Sequence, residues 1–280
     1  MADQLFRAGT ETSAIVPEIW SSNFYDVLLA ELPFNAVISR DYEGEINDLG
    51  DTVNISSVPE FSAASDLDED AAADADAVTI TGQALVINKR IVKDLILTKR
   101  SQKQSLPLMT KLQDLAIYSV LKKFQQHIID NTAPSTSSPD HTLSFDSGTT
   151  LSLADLLESM ELLDTANVPK QGRHAVMGAA QAADVFNISG FTSSDFVSGA
   201  NLLTTGEVGA PLLGFTPHMT TIVSNTTYLF HESYFTVAAQ QGMEVKIYDL
   251  GGEGKRAERV NVDTLAGFKQ LDSSRVVTLG

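Results

Sequence analysis

The stretch Gly209 to Thr216, GAPLLGFT, carries glycines at the spacing of a GxxxxGK[ST] phosphate loop, but Phe215 stands where a lysine must reach the phosphates. Nucleotide chemistry fails at that position. Asp66, Asp68 and Asp70 occupy positions 1, 3 and 5 of a calcium loop, yet Ala71 replaces its turn glycine and Ala77 its bidentate glutamate, so no specific calcium site is expected. The five histidines, His127, His141, His174, His218 and His231, form no HExxH or His-x-His group. Each is expected to be a surface side chain or one satisfied by a local partner. There is no GxSxG elbow and no cysteine, which excludes thiolate nucleophiles, zinc-thiolate centres and disulfides. Glu158 and Glu161 fall on an expected helix, where exposure leaves carboxylates with ordinary acidity. No catalytic set, cofactor or metal is therefore expected, and the reading is non-enzymatic.

Composition narrows the class further. A chain of 280 residues with 43% hydrophobic content can bury one elaborated core or two modest ones. The N-terminus has no apolar core of signal-peptide length and no long apolar run follows, so cytoplasmic folding without a membrane anchor is expected. Net charge is -17, from 36 acids against 19 bases, which argues against general nucleic-acid binding. The charge is blocked rather than mixed. Asp41 to Asn88 holds 12 acids and no Lys or Arg, Lys89 to Lys123 holds nine bases and two acids, and His174 to Val245 has no Lys or Arg. Such blocks suit surfaces that meet other copies of a charged partner.

These residues must be held by recognisable elements. Ile15, Ile19, Trp20, Phe24, Val27 and Leu28 predict a short helix ended before Pro33, after a polar arm. Gly50 to Val58 and Val78 to Ile87 alternate as strands, and PEFSAASDLDEDAAADADA between them is far longer than a hairpin needs. Ile91 to Leu97 continues as an apolar run. Leu108, Leu112, Leu115, Ala116, Val120, Phe124 and Ile128 predict a helix of roughly 25 residues, about 37 Å long. After a Ser/Thr/Pro-rich linker, Ser152 and Asp155 read as a capping box before a helix ended by Pro169. His174 to Met177 reads as a strand, Ala179 to Phe186 as a small helix, and Gly199 to Val223 as glycine turns feeding a strand. Two apolar pieces, Tyr228 to His231 and Tyr234 to Ala239, precede three expected strands at Glu244 to Asp249, Ala257 to Asp263 and Ser274 to Leu279. GGEG turns between the first two of these and TLAGFKQLD links the second to the third in one antiparallel sheet.

Gly206, Val208, Gly209, Gly214 and Phe215, a GxVGxxxGF-like segment, together with this order of elements, resemble the major capsid protein of tailed bacteriophages, the Hong Kong 97-type fold. The resemblance implies an α+β fold with an N-terminal arm over 1–40 and an extended β-ribbon loop over 41–97. A peripheral domain of spine helix and C-terminal strands would take 98–145 and 240–280, and an axial α/β domain 146–239. It implies a subunit that self-assembles into hexamers and pentamers of an icosahedral head enclosing double-stranded DNA. Scaffolding protein, portal and a cement or decoration protein would be its further partners, with no membrane and with host-cytoplasmic assembly into a virion. Some family members cross-link through a lysine in the extended loop; none is present from Asp41 to Asn88, so this shell is expected to be non-covalent or cemented.

The charge blocks then suggest an inter-subunit contact. Asp66, Asp68, Glu69, Asp70, Asp74 and Asp76 would crowd the ribbon tip, and Lys89, Arg90, Lys93, Lys99, Arg100 and Lys103 its base, so that one copy's tip meets a neighbour's base. Competing readings are a nanocompartment shell of the same fold, an α/β enzyme without a recognisable motif, and a tail or decoration protein.

Overall fold

A computed structural model of the chain describes residues 29–43, 50–58, 61, 64, 66, 78–99, 106–137, 139–146, 148–188, 211–253 and 256–280. The chain divides into two units, Met1–Ala30 and Glu31–Gly280, and all of the described helices and strands belong to the second. The helix expected before Pro33 lies outside the described residues. Pro33 itself leads into a single turn, α1 (Phe34–Val37), whose Phe34 is fully buried.

Strand β1 (Thr52–Ser57) pairs antiparallel with the start of β2 (Thr81–Thr98), from Thr52 opposite Val86 to Ser57 opposite Thr81. The sequence divides β2 into two apolar runs, but the structure makes it one 18-residue strand. It changes partner part-way: from Ile87 onward it pairs with β8 (Ala257–Gln270). The change occurs at a bulge, where Ile87 faces Gly267 and Lys89 faces Ala266, leaving Asn88 as the extra residue. Strand β7 (Phe235–Asp249) completes this antiparallel sheet in the order β1-β2-β8-β7.

Helix α2 (Leu106–Asp130) has the expected 25 residues. Its stripe Ala116, Val120, Phe124 and Ile128 recurs every fourth residue and is buried against Ile91, Val262 and Ala266 of the sheet. Phe124 meets Phe268 edge-on, with ring centroids 4.8 Å apart. The predicted helix after the linker is α3 (Leu153–Thr165), and its capping box is complete. Buried Asp155 accepts from the Ser152 backbone N–H and hydroxyl, each at 2.8 Å, and from Asp146 N–H at 3.1 Å. Asp155→Ala should therefore cost about 2 kcal/mol in urea unfolding of the dissociated subunit, because it strips a cap and leaves three donors without their acceptor.

The second sheet is mixed, in the order β3-β9-β6-β4-β5. It comprises β3 (Thr142–Leu143), β4 (Arg173–Met177), β5 (Thr216–Met219), β6 (Thr227–His231) and β9 (Val276–Leu279), with α4 (Ala179–Val185) between β4 and β5 in sequence. Alternation splits its strands between two cores. Val176, Phe230 and Val276 enter the core shared with α1, α2 and the first sheet; Ala175, Met177, Leu229 and Val277 enter one built with α3 and α4. The central strands β9, β6 and β4 of this sheet form a wall buried on both faces.

Two expectations about the C-terminus are corrected. TLAGFKQ is not a link but the second half of β8, and its glycine is a close-packing position rather than a turn. The last strand does not join β7 and β8 in one antiparallel sheet. Instead β9 pairs antiparallel with β6 and parallel with β3. Val276, Val277 and Leu279 are all fully buried, and only a strand covered on both faces can bury consecutive apolar residues. Likewise Tyr234 to Ala239 and Glu244 to Asp249, read as separate pieces, are one strand interrupted by two register shifts.

Candidate assembly surface

The ribbon of β1 and early β2 ends in apolar side chains without cover. Val58 is 63% exposed, Phe61 65% and Ile80 63%. Of the six loop acids, Asp66 is described and exposed; Asp68, Glu69, Asp70, Asp74 and Asp76 lie outside the described residues. Of the six basic residues, Lys89, Arg90, Lys93 and Lys99 are exposed along β2 and its end, and Arg100 and Lys103 lie outside the described residues.

The four described bases are not equivalent. Arg90 Nη2 lies 2.6 Å from Asp263 Oδ2, and this buried carboxylate raises the Arg90 pKa through hydrogen bonding and charge. Gln241 Nε2 donates to the other Asp263 oxygen at 3.3 Å. Lys99 Nζ lies 3.1 Å from Asp249, whose carboxyl is held below its ordinary value by that ammonium and by the Gly251 N–H. Both therefore have partners within their own chain. Lys89 and Lys93 have no ion-pair partner among the described residues. Lys89 approaches α2, where its charge and that of Lys123 add to burial in lowering the His127 pKa. Lys89 of β2 and Lys123 of α2 thus form one positive patch around His127, with Lys93 exposed further along β2.

Strand pairing also determines what the outer part of the first sheet presents. Arg90, Val92, Asp94 and Ile96 share a face with Arg259, Asn261 and Asp263 of β8 and with Glu244, Lys246 and Tyr248 of β7. Charges on this face neutralise one another: Asn261 donates to Asp94 at 2.6 Å, Arg259 lies 4.0 Å from it, and Lys246 pairs with Glu244. Between them Val92, Ile96 and Tyr248 are 44%, 54% and 50% exposed. A shallow groove of about 120 Å³ lies between α2 and β7, floored by Val120, Leu121, Phe124 and Met243, with Arg40 and Glu43 at its rim. The Arg40 guanidinium sits 5.9 Å above the Phe124 ring.

The glycine-rich stretch resolves at its C-terminal end. Leu213 and Gly214 both have positive φ, 51° and 86°, and Leu212 and Phe215 exchange two backbone hydrogen bonds of 2.8 Å. This is a type I′ turn that feeds β5. A phosphate loop opens a helix, and here a strand comes next. Gly206, Val208 and Gly209 lie outside the described residues.

Each histidine whose surroundings are described has a local partner. Buried His141 contacts the Val276 carbonyl at 3.2 Å through Nδ1, His231 Nδ1 contacts the Ser233 hydroxyl at 2.8 Å, and His127 packs on Phe268. His174 Nδ1 and His218 Nε2, 44 residues apart in sequence, meet at 3.2 Å. Among the described residues no three His, Asp or Glu side chains converge as a metal site. No described helix is long and apolar enough to cross a membrane.

Comparison with known proteins agrees with this architecture. In structure the chain resembles one from Mycobacterium phage Che8 with a TM-score of 0.75 and 23% identity, over 95% of this chain and 97% of that one. It resembles the capsid structure of cyanophage P-SCSP1u with a TM-score of 0.77 at 11% identity, over 97% and 94% of the two chains. It resembles the asymmetric unit of the bacteriophage PhiM1 mature capsid with a TM-score of 0.73 at 12% identity, over 99% and 96%. A comparison with curated proteins gives no match. A family profile described as phage capsid protein matches residues 102–280, which take in α2, β7, β8 and the whole five-stranded sheet, and the chain therefore belongs to the phage capsid protein family.

Proposed function

We propose that this chain is the major building block of a phage head, a structural and non-enzymatic subunit that assembles with copies of itself into hexamers and pentamers around double-stranded DNA. The observation that carries the reading is the ribbon of β1 and early β2. It presents Val58, Phe61 and Ile80, the most exposed large apolar side chains among the described residues, to solvent, and exposed apolar projections of this kind are completed by a neighbour. Residues 1–40 act as an arm, 41–97 as the extended loop, 98–145 with 240–280 as the peripheral domain and 146–239 as the axial domain. The last strand is the exception to that division, since β9 pairs in the sheet that also holds β4 to β6. A scaffolding protein, portal and cement protein would be its partners in host-cytoplasmic assembly, and the virion its destination. Negative-stain electron microscopy of the purified protein tests the reading: closed shells are expected, and a monodisperse species of 30.1 kDa would overturn it.

Within that assembly the acidic ribbon tip contacts a neighbour's basic base. Lys89, Lys93 and the outlying Arg100 and Lys103 are the principal bases, because Arg90 and Lys99 already have partners in their own chain. An exposed ion pair contributes only about 0–1 kcal/mol, but the contact repeats at every subunit. Replacing Asp66, Asp68, Glu69, Asp70, Asp74 and Asp76 by Asn or Gln should flatten the dependence of shell stability on NaCl in light scattering. Salt at about 1 M shortens the screening length to about 3 Å and removes such contacts in the unaltered shell. An unchanged salt profile would show that the tip is only a solvated surface.

A further inference from the structure

Strand β5 is the outermost strand of the five-stranded sheet, four residues long and, among the described strands, hydrogen-bonded only to β4. An edge strand this short is weakly held. One side-chain contact ties it down: His218 on β5 reaches His174 on β4, Nε2 to Nδ1, at 3.2 Å. Immediately after β5, the Thr220 hydroxyl donates to the Glu31 carbonyl at 2.8 Å, so the segment leading into α1 is anchored on the same strand. Phe34 then stacks on Phe230, whose ring also lies beside His174.

We propose that the His174–His218 pair is an acid-operated tie that holds β5 against β4 at neutral pH and releases it on acidification. The bond requires one ring nitrogen to donate and the other to accept. One added proton preserves it, since an imidazolium still donates to a neutral ring. A second proton places a hydrogen on both facing nitrogens, so the bond is lost and two positive rings oppose each other. The charged groups facing the pair are few: Glu31 beside His218, and Glu232 and His231 beside His174. Once both rings are charged they repel each other across the strand pair, while Glu31 attracts His218 and Glu232 attracts His174.

Burial is the largest influence on both rings and lowers their pKa values; His218 lowers that of His174 further, while Glu31 and Glu232 oppose the shift. Because the folded-state values lie below the ordinary histidine value of about 6.5, the neutral pair's contribution is complete above that pH. The bond itself survives the first protonation and is lost as pH falls through the lower of the pair's two titrations.

Hydrogen–deuterium exchange on the full chain at pH 7.5 and pH 5.0, corrected for intrinsic rates, tests the tie. The peptide spanning 214–220 should lose at least about tenfold protection at pH 5.0 while those spanning 31–37, β9 and α3 do not. His218→Gln and His174→Asn each keep a hydrogen-bonding nitrogen near its original position without a titratable ring. Either should retain protection of the 214–220 peptide at both pH values. Equal protection of the unaltered chain at the two pH values would overturn the proposal, and so would an acid loss that persists in both variants. Since the wild-type comparison stands alone, failure of one variant to fold leaves the test intact. The measurement does not depend on shell formation.

Discussion

Replacing Gly267 with valine is expected to destabilise the subunit by about 3 kcal/mol and to abolish shell formation. A Cβ at this position would lie 2.7 Å from the Val86 carbonyl oxygen and 3.1 Å from both Cα and Cγ1 of Ile87. Two of these three atoms are backbone, so no side-chain rotation relieves the clash. The obstructed place is the bulge at which β2 leaves β1 and begins to pair with β8. Separating the strands there breaks the ladder that joins the ribbon to β8, and it opens the small core of Val53, Leu85, Ile87 and Ala238 beneath it. Gly82, in the ribbon itself, has nothing within 4 Å of its virtual Cβ and is the control. Gly82→Ala should change urea stability by no more than about 0.5 kcal/mol. If the two substitutions behaved alike, steric exclusion at the bulge would not be the cause.

Phe34→Ala should cost about 3–5 kcal/mol in the same measurement. Phe34 is fully buried, stacks on Phe230 at 5.4 Å with rings inclined by 13°, and meets Tyr228 edge-on at 5.7 Å. Its neighbours come from the central sheet and cannot collapse into the space, because Phe230 is itself held between Phe34 and Tyr234. Truncation leaves a cavity where α1, α2 and the sheet converge, rather than a dent at the surface. Phe34→Leu should recover part of the loss by refilling volume without the ring contacts. A cost below about 1 kcal/mol for the alanine variant would mean that α1 is not part of the cooperative fold.

Local signals in the sequence correspond to structure wherever the physics is local. The Ser152–Asp155 box works because its partners are three residues apart on one helical turn. The spine helix is legible because Ala116, Val120, Phe124 and Ile128 must share a stripe at helical period, whatever they pack against. The I′ turn at Leu213 and Gly214 reflects the need for positive φ ahead of a strand. The order of these pieces also carried the capsid resemblance that the family match bears out. Charge blocks were visible in sequence too, but which charges are free was not: Arg90 finds Asp263 and Lys99 finds Asp249 across 173 and 150 residues.

Tertiary structure alone decided how strands divide between sheets. Alternation shows that a segment is extended but not which edge it joins, so β2 hid its change of partner and β9 its place in the central wall. The segment around Gly267 read as a link between strands, whereas it continues β8 and the glycine's missing side chain admits a neighbouring backbone. The meeting of His174 and His218 depends on a parallel pairing of β4 and β5, two strands well separated in sequence. No periodicity in a single segment encodes such a contact, because pairing free energy comes from the partner and the burial it provides, and both exist only once the chain has folded.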